Sequence, residues 1–185
     1  MGAREDTCCF TGHRPEKLPW GVQEDDPRCI KLKARLHDAV ESAYETGMRH
    51  FICGMARGCD LYFCEEVLRL REKHGDILLE AAIPCLSQAD AWPAPERERY
   101  RRLTALCDVE TVVQQQYTSS CMQRRNRYMV DHASLLIAVH DGLPGGTMQT
   151  ILYAMNRGLA IVDIPPVLGR ERSRPRLEGA IPETI

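Results

Sequence analysis

Three short segments of this chain combine glycine with hydroxyl, basic or acidic side chains, and that combination suits the binding of a phosphate-bearing anion. They are residues 11–14 (Thr11, Gly12, His13, Arg14), residues 54–60 (Gly54, Met55, Ala56, Arg57, Gly58, Cys59, Asp60) and residues 141–147 (Asp141, Gly142, Leu143, Pro144, Gly145, Gly146, Thr147). Gly54, Gly58, Gly145 and Gly146 carry no Cβ, so the backbone can turn tightly and bring amide hydrogens close to an oxyanion. Arg14 and Arg57 can add charge-assisted hydrogen bonds. Thr147 can cap the helix that follows it or offer its hydroxyl to the anion. Asp60 reads either as a helix cap or as an acceptor for a ribose hydroxyl, and His13 as a hydrogen-bonding loop residue. Any one glycine loop is only a turn; the coincidence of three carries the expectation. The spacing matches neither GxxxxGK[ST] nor GxGxxG after the first strand, so routine ATP hydrolysis and nicotinamide chemistry are not indicated.

These loops need elements to bring them together, and the chain supplies them by repetition. A short apolar run ends in a polar or glycine loop, a helical pattern follows, and the next run begins. The runs are residues 7–10, 50–53, 77–83, 109–113, 135–139 and 159–164. Between them, helical spacing links Leu32, Leu36, Val40 and Ala43; Leu61, Cys64, Val67 and Leu68; residues 90–106; Met122, Asn126, Met129 and Val130; and Met148, Ile151, Leu152 and Met155. Strands alternating with helices predict a Rossmann-like three-layer α/β sandwich with a mostly parallel sheet of about six strands. The run at 135–139 has no polar alternation, as expected for a strand covered on both faces. In such a sheet every strand-to-helix loop leaves from one edge, so the three loops are predicted to share a crevice. Arg125 and Asn126 fall on the helix before the fifth strand. Asn126 is predicted to hold a neighbouring loop while Arg124 or Arg125 reaches the ligand; a solvated basic helix is the plain alternative.

Composition sets the class. With 185 residues, 44% hydrophobic and 27% charged, the chain reads as one globular domain over residues 1–165 and a mobile tail over 166–185. The net charge of −2 supplies no global field for nucleic acid. No apolar run is long enough to span a bilayer, and the start lacks the apolar core of a signal peptide, so the expected location is cytoplasmic without membrane contact. The nine cysteines are odd in number and never spaced as CxxC. They read as reduced core residues, with no metal site expected. Cys121, near Arg124 and Arg125, is the candidate for a reactive thiol.

The motifs also carry a family resemblance. The segment 11–21, opening on Thr11, Gly12, His13, Arg14 and Pro15, resembles the start of YpsA-like proteins of the SLOG superfamily, to which DprA/Smf and LOG proteins also belong. Residues 53–60 resemble the SGxAxGID segment of DprA. Arg125, Asn126 and Arg127 resemble its RNR segment, and Gly145, Gly146 and Thr147 resemble the PGGxGT loop of LOG enzymes. The resemblance runs over residues 7–165 and implies a Rossmann-like protein that binds nucleotides or nucleic acid. LOG enzymes release a base from nucleoside monophosphates with an arginine and a glutamate, and the glutamate position is Thr150 here. The expected function is therefore binding of a nucleotide or nucleotide-derived phosphate ligand in a sensing or regulatory role, with no required cofactor. The alternatives are a phosphoribohydrolase-like hydrolase and DprA-like binding of single-stranded DNA through Arg97, Arg99, Arg101, Arg102 and residues 124–127. Self-association into a homo-oligomer is left open.

Overall fold

The structure, a computed structural model, describes residues 5–168. Six strands form one sheet in the order β4-β3-β2-β1-β5-β6, every neighbouring pair parallel. They are β1 (Thr7–Gly12), β2 (His50–Cys53), β3 (Leu78–Ile83), β4 (Val109–Val112), β5 (Leu135–Val139) and β6 (Ala160–Ile164). The helices are α1 (Pro27–Glu45), α2 (Cys59–Lys73), α3 (Ala94–Leu106), α4 (Cys121–Asp131) and α5 (Gly146–Asn156). The chain walks outward from β1 to β4, then returns past its start to β5 and β6. The direction reverses between β1 and β5, the position where ligands of open α/β sheets bind.

Alternation along the strands builds two cores. Cys8, Phe10, Phe51, Leu79, Ile137 and Val139 point toward Leu32 and Leu36 of α1, Phe63 and Val67 of α2 and Leu103 of α3. Cys9, Ile52, Ala82, Leu136 and Ala138 point toward Met129 and Val130 of α4 and Ile151 and Ala154 of α5. β5 is apolar throughout because both of its faces are covered. The result is the three-layer Rossmann-like sandwich.

Local signals explain the element ends. Asp26 caps α1 by accepting the Arg28 N–H at 2.8 Å, with Pro27 in the first turn. α3 begins at Ala94 rather than Asp90. Pro93 disfavours helical backbone at Trp92, so residues 90–93 turn instead, and Pro95 sits in the first turn of α3. After β6, Arg35 of α1 donates to the carbonyls of Pro165 (2.6 Å) and Pro166 (3.0 Å), and Val167 packs on the core. The start of the predicted tail is thus held; its residues 169–185 lie outside the described residues.

One acid inside the sheet has no counterpart in the sequence expectations. Glu80 of β3 is buried beneath α4. Its Oε1 accepts the hydroxyls of Tyr128 (2.7 Å) and Thr111 (2.7 Å), and its Oε2 lies 2.8 Å from His50 Nε2. Burial pushes this carboxyl up, but the three partners outweigh burial and hold its pKa at about 2. Because the folded value lies below the unfolded one, the stability it contributes is present above about pH 4.5. It is lost as the pH falls through about 2. It is worth on the order of 3 kcal/mol, at about 1.4 kcal/mol per pKa unit. Thermal unfolding between pH 5 and 2 is expected to show a flatter pH dependence for Glu80→Gln than for the parent; parallel curves would contradict this.

Candidate functional site

The carboxyl ends of β1 and β5 open onto a cleft of about 300 Å3. Its wall includes Thr11, Gly12, His13, Arg14, Ala56, Asp60, Arg125, Asn126, Gly146 and Thr147 from the predicted set. Gly54, Met55, Gly58, Asp141 and Gly145, also in that set, do not line it.

The first loop is pressed against the start of α2. A Cβ on Gly12 would lie 2.5 Å from Cys59 Cβ and 2.8 Å from the Phe10 ring. Gly58 has φ +82°, and a Cβ there would lie 2.8 Å from the His13 carbonyl oxygen, which accepts the Cys59 N–H at 3.1 Å. Glycine at 12 and 58 is therefore required by close packing of two loops.

The second loop serves as a frame, with two of its amides turned inward rather than toward an anion. The Met55 N–H donates to Cys53 Sγ at 3.4 Å and the Ala56 N–H to Asp60 Oδ2 at 3.1 Å. Met55 is buried with φ 55°, and its carbonyl accepts Gln88 Nε2 at 2.6 Å. Asp60 is not the cap of α2, because Gly58 occupies that position. It reaches back to tie the loop and then faces the cleft. Arg57 is not available to a ligand, being paired with Glu96 and with Glu16 (2.6 Å).

Behind Gly54 lies the most buried charge of the site. Arg125 is 4% exposed, donates from Nη1 to the Gly54 carbonyl, and donates from Nε to Asn126 Oδ1 at 2.8 Å. A Cβ on Gly54 would lie 2.6 Å from Arg125 Cζ and 2.8 Å from Asp60 Oδ2. The two buried ions therefore occupy the space that glycine leaves. Burial pushes the Asp60 carboxyl up, opposed by Arg125, the Ala56 amide and Arg14. Burial pulls Arg125 down, opposed by Asp60. Asn126 Nδ2 donates to Thr150 Oγ1 at 2.9 Å, and that hydroxyl donates to the Gly146 carbonyl at 2.9 Å. Asn126 thus orients Arg125 and ties α4 to the first turn of α5. Thr150, where LOG enzymes place a glutamate, is buried and is a link in this chain.

The third loop presents the free amides. The first bond within α5 runs from the Gln149 N–H to the Gly145 carbonyl at 3.0 Å, so Gly146, Thr147 and Met148 have no helical acceptor for theirs. Thr147 does not cap the helix; its hydroxyl donates to the Gly12 carbonyl at 3.4 Å and clamps β1 to α5. The loop is held by two histidines. Gly142 donates its N–H to His140 Nδ1 at 3.0 Å, and His140 Nε2 lies 2.9 Å from Asp163 Oδ1. His13 Nε2 lies 3.1 Å from both the Asp141 N–H nitrogen and Asp141 Oδ1. Burial pushes His13 below its ordinary value against the pull of Asp141, so the ring is neutral at pH 7. In either tautomer its Nδ1, buried at the cleft, has no partner among the described residues.

Lys17 belongs to the cleft and was absent from the predicted set. Its Nζ lies 3.5 Å from the Pro144 carbonyl oxygen and 2.5 Å from where a Cβ on Gly145 would be. The 3-10 turn Pro15–Lys17 explains it, since residues three apart eclipse in that geometry and Lys17 follows Arg14 by three. Arg14 itself has no carboxylate within ion-pair distance among the described residues, so Arg14 and Lys17 give the mouth a positive edge beside the α5 amides.

Other candidates are used elsewhere. Arg99 pairs with Glu65 (2.7 Å) and Glu24 rather than with neighbours on its own helix, and Arg97 donates to the Asp90 carbonyl at 3.2 Å. All nine cysteines are free thiols, and Cys121 is fully buried. Among the described residues no cluster of His, Cys, Asp or Glu is placed to hold a metal ion, and no helix is long and apolar enough to cross a membrane.

Comparison with known proteins decides the lineage. The family described as YpsA, the YspA SLOG family, matches residues 8–158. The chain belongs to this family. It is similar to the uncharacterized SPbeta prophage-derived protein YoqJ of Bacillus subtilis (strain 168). That match is 30% identical over 142 residues, 70% of this chain and 83% of the relative. It is also similar to a UPF0398 protein of Bacillus cereus (strain G9842), 26% identical over 152 residues, 80% of this chain and 82% of the relative. Among solved structures it resembles DNA processing protein A (DprA) from Streptococcus pneumoniae, with a TM-score of 0.57 and 14% identity over 86% of this chain. The match spans half of that neighbour's length, 50%, and it shows the shared fold.

Proposed function

We propose that the cleft between β1 and β5 binds a nucleotide or nucleotide-derived phosphate ligand, and that the protein acts in sensing or regulation. One observation carries this reading. The free amides of Gly146, Thr147 and Met148, the side chains of Arg14 and Lys17, and the unpartnered Nδ1 of His13 are gathered at the sheet's switch point. A helix N-terminus flanked by two cations is suited to a phosphate, and Asp60 supplies an acceptor for a sugar hydroxyl. Binding rather than turnover is favoured because the position of the LOG glutamate is Thr150, whose hydroxyl is committed to the Gly146 carbonyl.

Titration with millimolar inorganic phosphate, ribose 5-phosphate and nucleoside monophosphates is expected to raise the melting temperature, because a ligand of the native state stabilises it by mass action. Arg14→Ala is expected to weaken binding about tenfold or more, the value of one charge-assisted hydrogen bond. No shift with any of these phosphates would reject the reading.

A second reading, cleavage of an N-glycosidic bond, rests on Asp60 as the buried carboxylate of the cleft. It predicts free base after incubation with a nucleoside monophosphate, and loss of that product in Asp60→Asn.

A further inference from the structure

The cleft is not isolated. A second groove of about 470 Å3 runs between α4 and α5 and shares Met122, Asn126 and Gly146 with it. Gly146 carries one of the free amides, so a phosphate bound there would have a chamber on either side. The chambers differ in chemistry. The cleft beside β1 carries the charges, with Arg14, Lys17, Glu16 and Asp60 set beside the apolar Phe10, Ala56 and Met129. The α4–α5 groove combines Met122, Leu152 and Tyr153 with the side-chain amides of Gln123 and Gln149.

Resting on the phosphate reading above, we propose that the α4–α5 groove is a nucleobase subsite, which makes the ligand a nucleoside phosphate rather than a free or sugar phosphate. A base is a flat ring with apolar faces and a rim of donors and acceptors. The groove offers matching surfaces. Leu152 is 53% exposed on its wall, an uncovered apolar group next to polar neighbours. The Tyr153 ring is fixed in place. Its hydroxyl donates to Asp131 (3.0 Å to Oδ1, 3.2 Å to Oδ2), Asp131 is gripped by Arg157 at 2.9 Å, and the Arg127 guanidinium stands 5.5 Å from the ring centroid. A ring held this way is preorganised to meet a planar partner. Gln123 and Gln149 are exposed, and each amide offers both a donor and an acceptor to a base edge.

Calorimetric titration of the full chain with inorganic phosphate, ribose 5-phosphate, and AMP, GMP, CMP and UMP tests this. At least one nucleotide is expected to bind about tenfold or more tightly than ribose 5-phosphate, the gain that base stacking on an aromatic gives. The variant carrying Gln123→Ala and Gln149→Ala, and separately Tyr153→Ala, are expected to erase most of that gain and leave ribose 5-phosphate affinity unchanged. Nucleotides that bind no better than ribose 5-phosphate would overturn the base subsite while leaving the phosphate reading intact. So would groove variants that bind both ligands as the parent does. If none of these phosphates binds, the nucleotides included, the phosphate reading fails and the base subsite falls with it.

Discussion

Replacing Asp60 with alanine is expected to cost about 3–5 kcal/mol, because it leaves a buried guanidinium without its compensating charge. For a domain of this size that corresponds to a fall of about 10 °C in the melting temperature. Arg125 and Asp60 both crowd the position of the Cβ that Gly54 lacks, and both are at most 5% exposed. No ion pair joins them directly, so their coupling acts through the low-dielectric interior around Gly54. Asp60→Asn separates charge from shape. The amide keeps an oxygen for the Ala56 N–H and loses only the negative charge. Arg125→Met removes the cation, after which Asp60 can relieve its own burial by taking up a proton. The double variant, Asp60→Asn with Arg125→Met, is expected to be more stable than the sum of the single losses predicts. Thermal unfolding of the four proteins closes this cycle. Strict additivity, or an Asp60→Asn protein as stable as the parent, would show that the two charges do not support each other.

Gly12→Val is expected to destabilise the protein by about 3 kcal/mol and to displace the cleft wall, the upper range for forcing extra volume into a packed site. The cause is space and not backbone conformation. A Cβ at this position would lie 2.5 Å from Cys59 Cβ, and both groups are fixed, one at the end of a central strand and the other in the first turn of α2. Gly12→Ala with Cys59→Gly removes the closest contact and is expected to recover part of the stability lost in Gly12→Ala alone. The ring of Phe10 at 2.8 Å limits the recovery. Urea denaturation read by circular dichroism measures both effects. A Gly12→Ala protein with an unchanged midpoint would refute the close packing.

Element types and order were legible because they depend on neighbours in sequence. Apolar runs of four and five residues between helical stripes located β2 and β5 to the residue, and Gly47 and Gly158 stand at φ +105° and +75° just after α1 and α5. The gathering of Gly12, Ala56, Asp60 and Gly146 at one edge was legible too, since parallel strands joined by right-handed crossovers leave no other arrangement. Individual roles were less so. Arg57 has the type and spacing of a phosphate ligand, yet Glu96, 39 residues away in sequence, claims it. Glu80 looks like an error in an apolar strand until His50, Thr111 and Tyr128 arrive from three other elements.

By itself the sequence determined the βα alternation, the parallel sheet and the edge at which the three glycine loops gather, because hydrophobic period and chain connectivity are local properties that leave little choice. Only the tertiary structure decided which glycines line the cleft and which make room for a neighbouring loop. It also decided which arginine is buried at the site, and that a second groove opens beyond Gly146. Those outcomes depend on which side chains distant in sequence compete for the same few cubic ångströms and the same charge, and no spacing along the chain records that competition.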